Sequence, residues 1–328
     1  MNLHENKSLF VDAVLSAAQH LGIKPSYIEK DYWITRTLKQ MAEADTDRRA
    51  IFKGGTSLSK AHSIGFRFSE DVDVAIVDAS TLSGNQLKML IRKLAKSMTS
   101  GLEEIPMEGV TSKGSRYYKA IYGYETNSEF ANAASLEVEP MKIGQLMVEI
   151  NSFANPYPYV SRSIDSFIGI FLKEMGREDL ILQHGLGEFS LNVLDAKRTL
   201  TEKLVSILRF SLSDNYRYDL PAKIRHFYDL HYLMQEADCV AYIRSQTFRE
   251  DLAELLKHDR EEFEKPYGWK EKSIASSILV SDFTSFWESV LMQAYNRELP
   301  NIAYKEVPAP ETVAESFKKI LTFLPKSL

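Results

Sequence analysis

A chain of 328 residues is long enough for one large domain or two ordinary ones. Its 44% hydrophobic and 26% charged residues suit a globular protein with a sizeable core. The net charge of −5 excludes a general nucleic-acid coat protein, so any nucleic-acid contact is expected to be local and shaped.

The first residues, MNLHENKSLF, lack the basic, apolar and small-residue regions of a signal peptide. No apolar run is long enough for a membrane span. The single cysteine, Cys239, excludes an internal disulfide framework and a cysteine-rich zinc site, and suits a reducing cytoplasm. The seven histidines show no metal-ligand spacing.

Residues 7–21 carry apolar residues at helical spacing, with Gly22 as a C-cap. Residues 26–42 form a second predicted helix, with Ser26 and Glu29 as a capping box. A short apolar strand at 50–53 leads into Gly54-Gly55, and a helix is expected from about Thr56 or Ser57. Residues 71–77 read as a strand and 84–100 as a helix. Two further strands are expected at 115–124 and 145–153, with a shorter one near 134–139. From about 160 the pattern turns helical, most clearly at 199–211, 222–236, 247–258, 282–296 and 311–323. The proline-rich 154–160 stretch marks the expected boundary. The fold class is therefore α/β (α+β) over residues 1–158, followed by a mainly helical domain over 159–328, with the site completed by the second domain.

The main chemical signal lies between Lys53 and Asp73. Asp71 and Asp73 are two apart on a strand, so their side chains share a face. Two carboxylates so close are tolerable on a solvated surface or around a cation. Mg²⁺, with Mn²⁺ as the alternative ion, suits carboxylates, phosphate oxygens and water. Gly54 and Gly55 allow a phosphate to approach the backbone, at the start of a helix whose N–H groups favour anions. Thr56 and Ser57 add hydroxyls, Lys53, Lys60 and Arg67 add positive charge, and Ser69 shares the face of Asp71 if the strand begins that early. Ser57 has no recognisable His/Asp partners, so no hydrolase triad is expected. Lys113, Arg116 and Lys119 interleave with Tyr117 and Tyr118, a pattern that suits an exposed hairpin better than a base-stacking surface.

The glycine pair followed by Asp-x-Asp resembles the polymerase-β nucleotidyltransferase superfamily. The strings EKDYWITRTL at 29–38, FKGGTSLSKAHSIGFRFSEDVDV at 52–74, TLTEKL at 199–204 and RHFYDLHYL at 225–233 together resemble the AbiEii/AbiGii toxin family. The resemblance implies a polymerase-β-type core, Mg²⁺ at Asp71 and Asp73, and nucleotide binding by Lys53, Gly54, Gly55, Thr56, Ser57, Arg67 and Ser69. A third metal carboxylate is expected at Glu149, with Glu137 and Glu139 competing. The resemblance brings Lys203 and Asp229 into the site. Lys203 would neutralise phosphate charge, and Asp229 would orient Lys203 or activate an acceptor hydroxyl. It also favours packing of the Glu29–Tyr32 segment against the nucleotide site, with Lys30 or Asp31 in support.

The implied activity is transfer of NMP from an NTP to an acceptor, expected to be the 3′ end of tRNA. The chain would be the toxin of a toxin–antitoxin or phage abortive-infection pair, with a separate cognate antitoxin. The alternatives are a protein-modifying nucleotidyltransferase and a non-catalytic nucleotide- or RNA-binding module.

Overall fold

In a computed structural model, which describes residues 1–69, 71–127, 130 and 144–325, strands and helices alternate up to Leu194 and helices dominate thereafter. The chain divides into two units. One holds Met1–His62 and Phe68–Leu194; the other holds Ser63–Arg67 and Asp195–Leu328.

The first unit is built on a mixed sheet. Its strands are β1 (Ala50–Lys53), β2 (Asp71–Ile76), β3 (Glu103–Ile105), β4 (Ser112–Lys113), β5 (Tyr117–Gly123), β6 (Gln145–Asn151), β7 (Tyr159–Ile164) and β8 (Phe189–Leu194). Their spatial order is β3-β5-β6-β2-β1-β8-β7, with β4 paired to β5. The β1–β8 and β2–β6 pairs are parallel and the others antiparallel. Helices α1 (Lys7–Leu21), α2 (Pro25–Ala44), α3 (Gly54–Ala61), α4 (Gly84–Met98), α5 (Phe167–Glu174) and α6 (Glu178–Gln183) complete the unit.

The period-two alternation of β2 and β6 divides the sheet into two faces. Val72, Val74, Leu146, Val148 and Ile150 are fully buried, while Asp71, Asp73, Met147 and Glu149 on the opposite face are half-buried. Helices α2 and α4 pack on each other, and both pack on β6.

Several expectations are corrected. Residues 159–194 contribute two strands where helix was expected, because Leu191, Val193 and Leu194 bury against the sheet and β8 pairs with both β1 and β7. These residues therefore group with the α/β unit, and the division falls at Leu194/Asp195 rather than at 158/159. Helix α2 begins at Pro25, whose missing N–H is harmless at a first helical position, so Ser26 is an interior buried residue and not a cap. The strand expected near 134–139, with Glu137 and Glu139, lies outside the described residues.

The second unit contains α7 (Ala196–Ser211), α8 (Ile224–Leu233), α9 (Gln246–Glu262), α10 (Met292–Ile302) and α11 (Pro310–Leu321), with shorter turns between them. Asp195 caps α7 by accepting from the Lys197 N–H, so the helix starts ahead of the 199–211 stretch that the sequence pattern marks. Phe227 of α8 packs against Phe317 of α11, with Phe283 and Trp287 beside it. Among the described residues no helix is long and apolar enough to cross a membrane.

Candidate active site

Four charged side chains form a row across four adjacent strands. The sheet register sets Lys53 of β1 opposite Asp73 of β2, Asp73 opposite Glu149 of β6, and Glu149 opposite Lys119 of β5. Asp71, two residues before Asp73, lies on the same face. Lys119 Nζ stands 3.2 Å from Glu149 Oε2, with a quarter of its side chain exposed. Tyr117, two residues earlier on the same face of β5, has its hydroxyl pushed up by burial and by the nearby Glu149 charge.

This arrangement holds the Asp73 carboxyl well above the usual range. Burial is the main cause, and the negative charges of Asp71 and Glu149 reinforce it; Lys53 and Lys119 act in the opposite direction. An oxygen-only donor set fits a hard divalent cation. Among the described residues no group of three acidic, imidazole or thiol side chains is arranged to hold a metal. Mg²⁺ does not need three, being held by one or two carboxylates together with substrate phosphates and water.

The glycine turn meets this row directly. Gly54 has φ +80°, and a Cβ there would overlap the Asp73 carboxylate. Only glycine allows that approach without strain. Helix α3 begins at Gly54, earlier than expected, so the N–H groups of its first turn have no intrahelical acceptors.

The two hydroxyls of the turn bond to backbone carbonyls. Thr56 donates to the Asp71 carbonyl at 2.8 Å and fully buried Ser57 donates to the Gly54 carbonyl at 2.9 Å. A hydroxyl carries a single proton, so both brace the turn. Ser69 is half-buried and precedes β2, which starts at Asp71, so it does not share the strand's alternation.

Asp31, in the 29–32 segment, holds two elements of this unit together. Its Oδ1 accepts from Lys60 of α3 at 2.5 Å, and its Oδ2 accepts from the Phe167 N–H at 2.8 Å. Lys60 also donates to the Asp165 carbonyl at 2.9 Å. Lys60 thus anchors the helix that follows the glycine turn. Lys30 is fully buried in α2.

Arg67, Lys203 and Asp229 come together in the second unit. Arg67 donates from Nε and Nη2 to the two Asp229 oxygens at 2.7 and 2.6 Å, and Lys203 Nζ lies 2.6 Å from Asp229 Oδ2. All three side chains are about 95% buried. The two cations overcome the burial penalty and hold the Asp229 carboxyl well below the usual range. Arg225 pairs with Glu298 of α10. Sequence spacing could not find this trio because Arg67 is remote from α7 and α8 in the chain.

Comparison with known proteins adds a family. A model described as "Nucleotidyl transferase AbiEii toxin, Type IV TA system" matches residues 36–321. The chain belongs to the AbiEii toxin family. An AbiEii chain is a nucleotidyltransferase and the toxin of a toxin–antitoxin pair, which implies an NTP substrate and a cognate antitoxin. Among solved structures it is similar to the MenT4 nucleotidyltransferase toxin of Mycobacterium tuberculosis H37Rv. That match has 16% identity and a TM-score of 0.56, and covers 95% of this chain and 90% of the other. At this identity the likeness shows a shared fold. JHP933 from Helicobacter pylori is matched over 90% of this chain and 91% of its own, at 13% identity and a TM-score of 0.41. No curated protein matches.

Proposed function

We propose that this AbiEii toxin transfers NMP from an NTP to the 3′ end of an RNA, with tRNA as the acceptor, in a Mg²⁺-dependent reaction. The observation that carries the reading is the meeting of Gly54 with Asp73, where Asp71 lies on the same face and Glu149 opposite.

The acceptor hydroxyl oxygen attacks the α-phosphorus in line, a new P–O bond forms, and pyrophosphate leaves. Asp71 and Asp73, with Glu149 as third carboxylate, would hold a divalent cation, which offsets triphosphate charge and favours departure of pyrophosphate. Gly54 and Gly55 let the phosphates approach the backbone, and the first-turn N–H groups of α3 receive them. Lys53 adds positive charge, and Thr56 and Ser57 keep the turn in shape.

Lys203 stabilises the charge that builds on the phosphates. Asp229 orients Lys203 and is a poor base, since a carboxylate paired with two cations gives up little of its charge to a proton. Arg67 fixes the Asp229 carboxylate, and this role replaces the direct nucleotide contact expected of it.

The test is incubation with each α-labelled NTP and total bacterial RNA, followed by separation of RNA and protein. Label in the tRNA fraction supports the reading. Label confined to protein would establish the protein-modifying alternative. Full toxicity of an Asp71→Ala/Asp73→Ala variant would establish a non-catalytic binding module.

A further inference from the structure

Lys119 belongs to the stretch that the sequence pattern assigns to an exposed hairpin, and not to the residues that the family resemblance brings into the site, yet it lies on the carboxylate face. The register sets it opposite Glu149, and its Nζ is 3.2 Å from Glu149 Oε2. The residue best placed to be a third metal ligand is therefore already answered by a cation.

We propose that Lys119 is a built-in counter-ion that keeps Glu149 from a divalent cation until nucleotide binds, so that metal loads with the triphosphate and not ahead of it. The inference rests on the metal-dependent reading of this face and adds an order of loading to it.

The electrostatic argument is direct. Asp71, Asp73 and Glu149 carry three negative charges when ionised, and Lys53 and Lys119 return two positive ones. The row attracts a bare divalent cation far less than three uncompensated carboxylates would. A triphosphate brings new negative charge, to which an ammonium on a flexible stem can turn. Glu149 is then released to join Asp71 and Asp73. Lys119 suits such a shift because a quarter of its side chain is exposed.

The experiment is a Mn²⁺ titration of the full chain, read by calorimetry and by the electron paramagnetic resonance of free Mn²⁺, without nucleotide and with an α,β-methylene NTP. Without nucleotide, Lys119→Met is expected to bind Mn²⁺ at least about tenfold more tightly than the parent, and Lys119→Arg to bind like the parent. Glu149→Gln added to Lys119→Met should remove the gain. With the analogue, the parent should tighten and the Lys119→Met advantage should shrink. Lys119→Gln, read alongside, guards against misfolding of the methionine variant. Equal or weaker Mn²⁺ binding in both neutral variants overturns the proposal, as does a gain that survives loss of Glu149. Failure of NMP transfer with every NTP and acceptor, beside the expected titrations, would defeat the proposed activity and leave this inference standing.

Discussion

Arg67 grips Asp229 through two hydrogen bonds of 2.7 and 2.6 Å, although the residues are 162 apart in sequence. The planar guanidinium matches both carboxylate oxygens, a geometry that lysine cannot reproduce. Lys203 then binds the same carboxylate, so this buried trio carries one net positive charge.

Removal of Asp229 should leave two buried cations facing each other. Asp229→Ala is expected to destabilise the chain by about 3–5 kcal/mol in urea unfolding, the range for breaking a buried ion pair from one side. Because the folded carboxyl is held below its unfolded value, its contribution is fully present above the ordinary aspartate pKa of about 4. It is lost as pH falls below that. A parent and variant that converge in stability near neutral pH would contradict the assignment.

Gly54 and Gly22 offer a matched comparison. Both have positive φ, +80° and +67°, but a Cβ at Gly22 would meet nothing within 4 Å, whereas one at Gly54 would strike Asp73. Gly22→Ala should cost about 1 kcal/mol and spare NMP transfer. Gly54→Ala should cost more and reduce transfer at least about 100-fold through displacement of Asp73. Equal effects in paired unfolding and transfer assays would show that the close approach is unimportant.

Glu29 is fully buried in α2 and accepts from Thr126 Oγ1 at 2.5 Å and the Asn127 N–H at 3.3 Å. Burial nevertheless raises its carboxyl to about 7. The folded pKa lies above the unfolded one, so the folded chain binds the extra proton. Stability from this group is present below about 4.5 and is lost as pH rises through about 7, a fall of about 3 kcal/mol. Glu29→Gln should flatten that part of the stability–pH curve in chemical denaturation; an unchanged slope would refute the claim.

The Asp31–Lys60 pair, at 2.5 Å and more than 90% buried on both sides, ties α2 to α3. Loss of either partner alone should cost about 3–5 kcal/mol, and loss of both to apolar residues much less. A double-mutant cycle with Asp31→Leu and Lys60→Met measures this coupling. Additive losses would mean that the pair does not act as a unit.

The sequence reading succeeded where a signal was local. The spacing of Asp71 and Asp73 put them on one face, and Gly54 at the end of β1 marked the turn that meets them. The stripe of α8, with Ile224, Phe227 and Leu230, is buried as periodicity requires. Residues 189–194 were harder: Leu191 and Val193 alternate as a strand should, but the run is short and sits among helices. Helix starts lie earlier than the sequence pattern marks because Pro25 opens α2 ahead of Ser26 and Asp195 caps α7 ahead of residue 199. The pairing of Arg67 with Asp229, and of Lys119 with Glu149, needed the three-dimensional register. Nothing in a one-dimensional pattern says which distant cation will answer a carboxylate.

The membership of Ser63–Arg67 in the helical unit makes the two halves of this chain inseparable by a single cut. A fragment starting at Asp195 would keep Lys203 and Asp229 but discard the guanidinium that grips the carboxylate with them. Its complement, ending at Leu194, would carry Arg67 with no Asp229 to receive it. Neither piece is expected to behave as its intact counterpart, so fragment complementation, rather than isolated expression, is the fitting way to dissect this toxin.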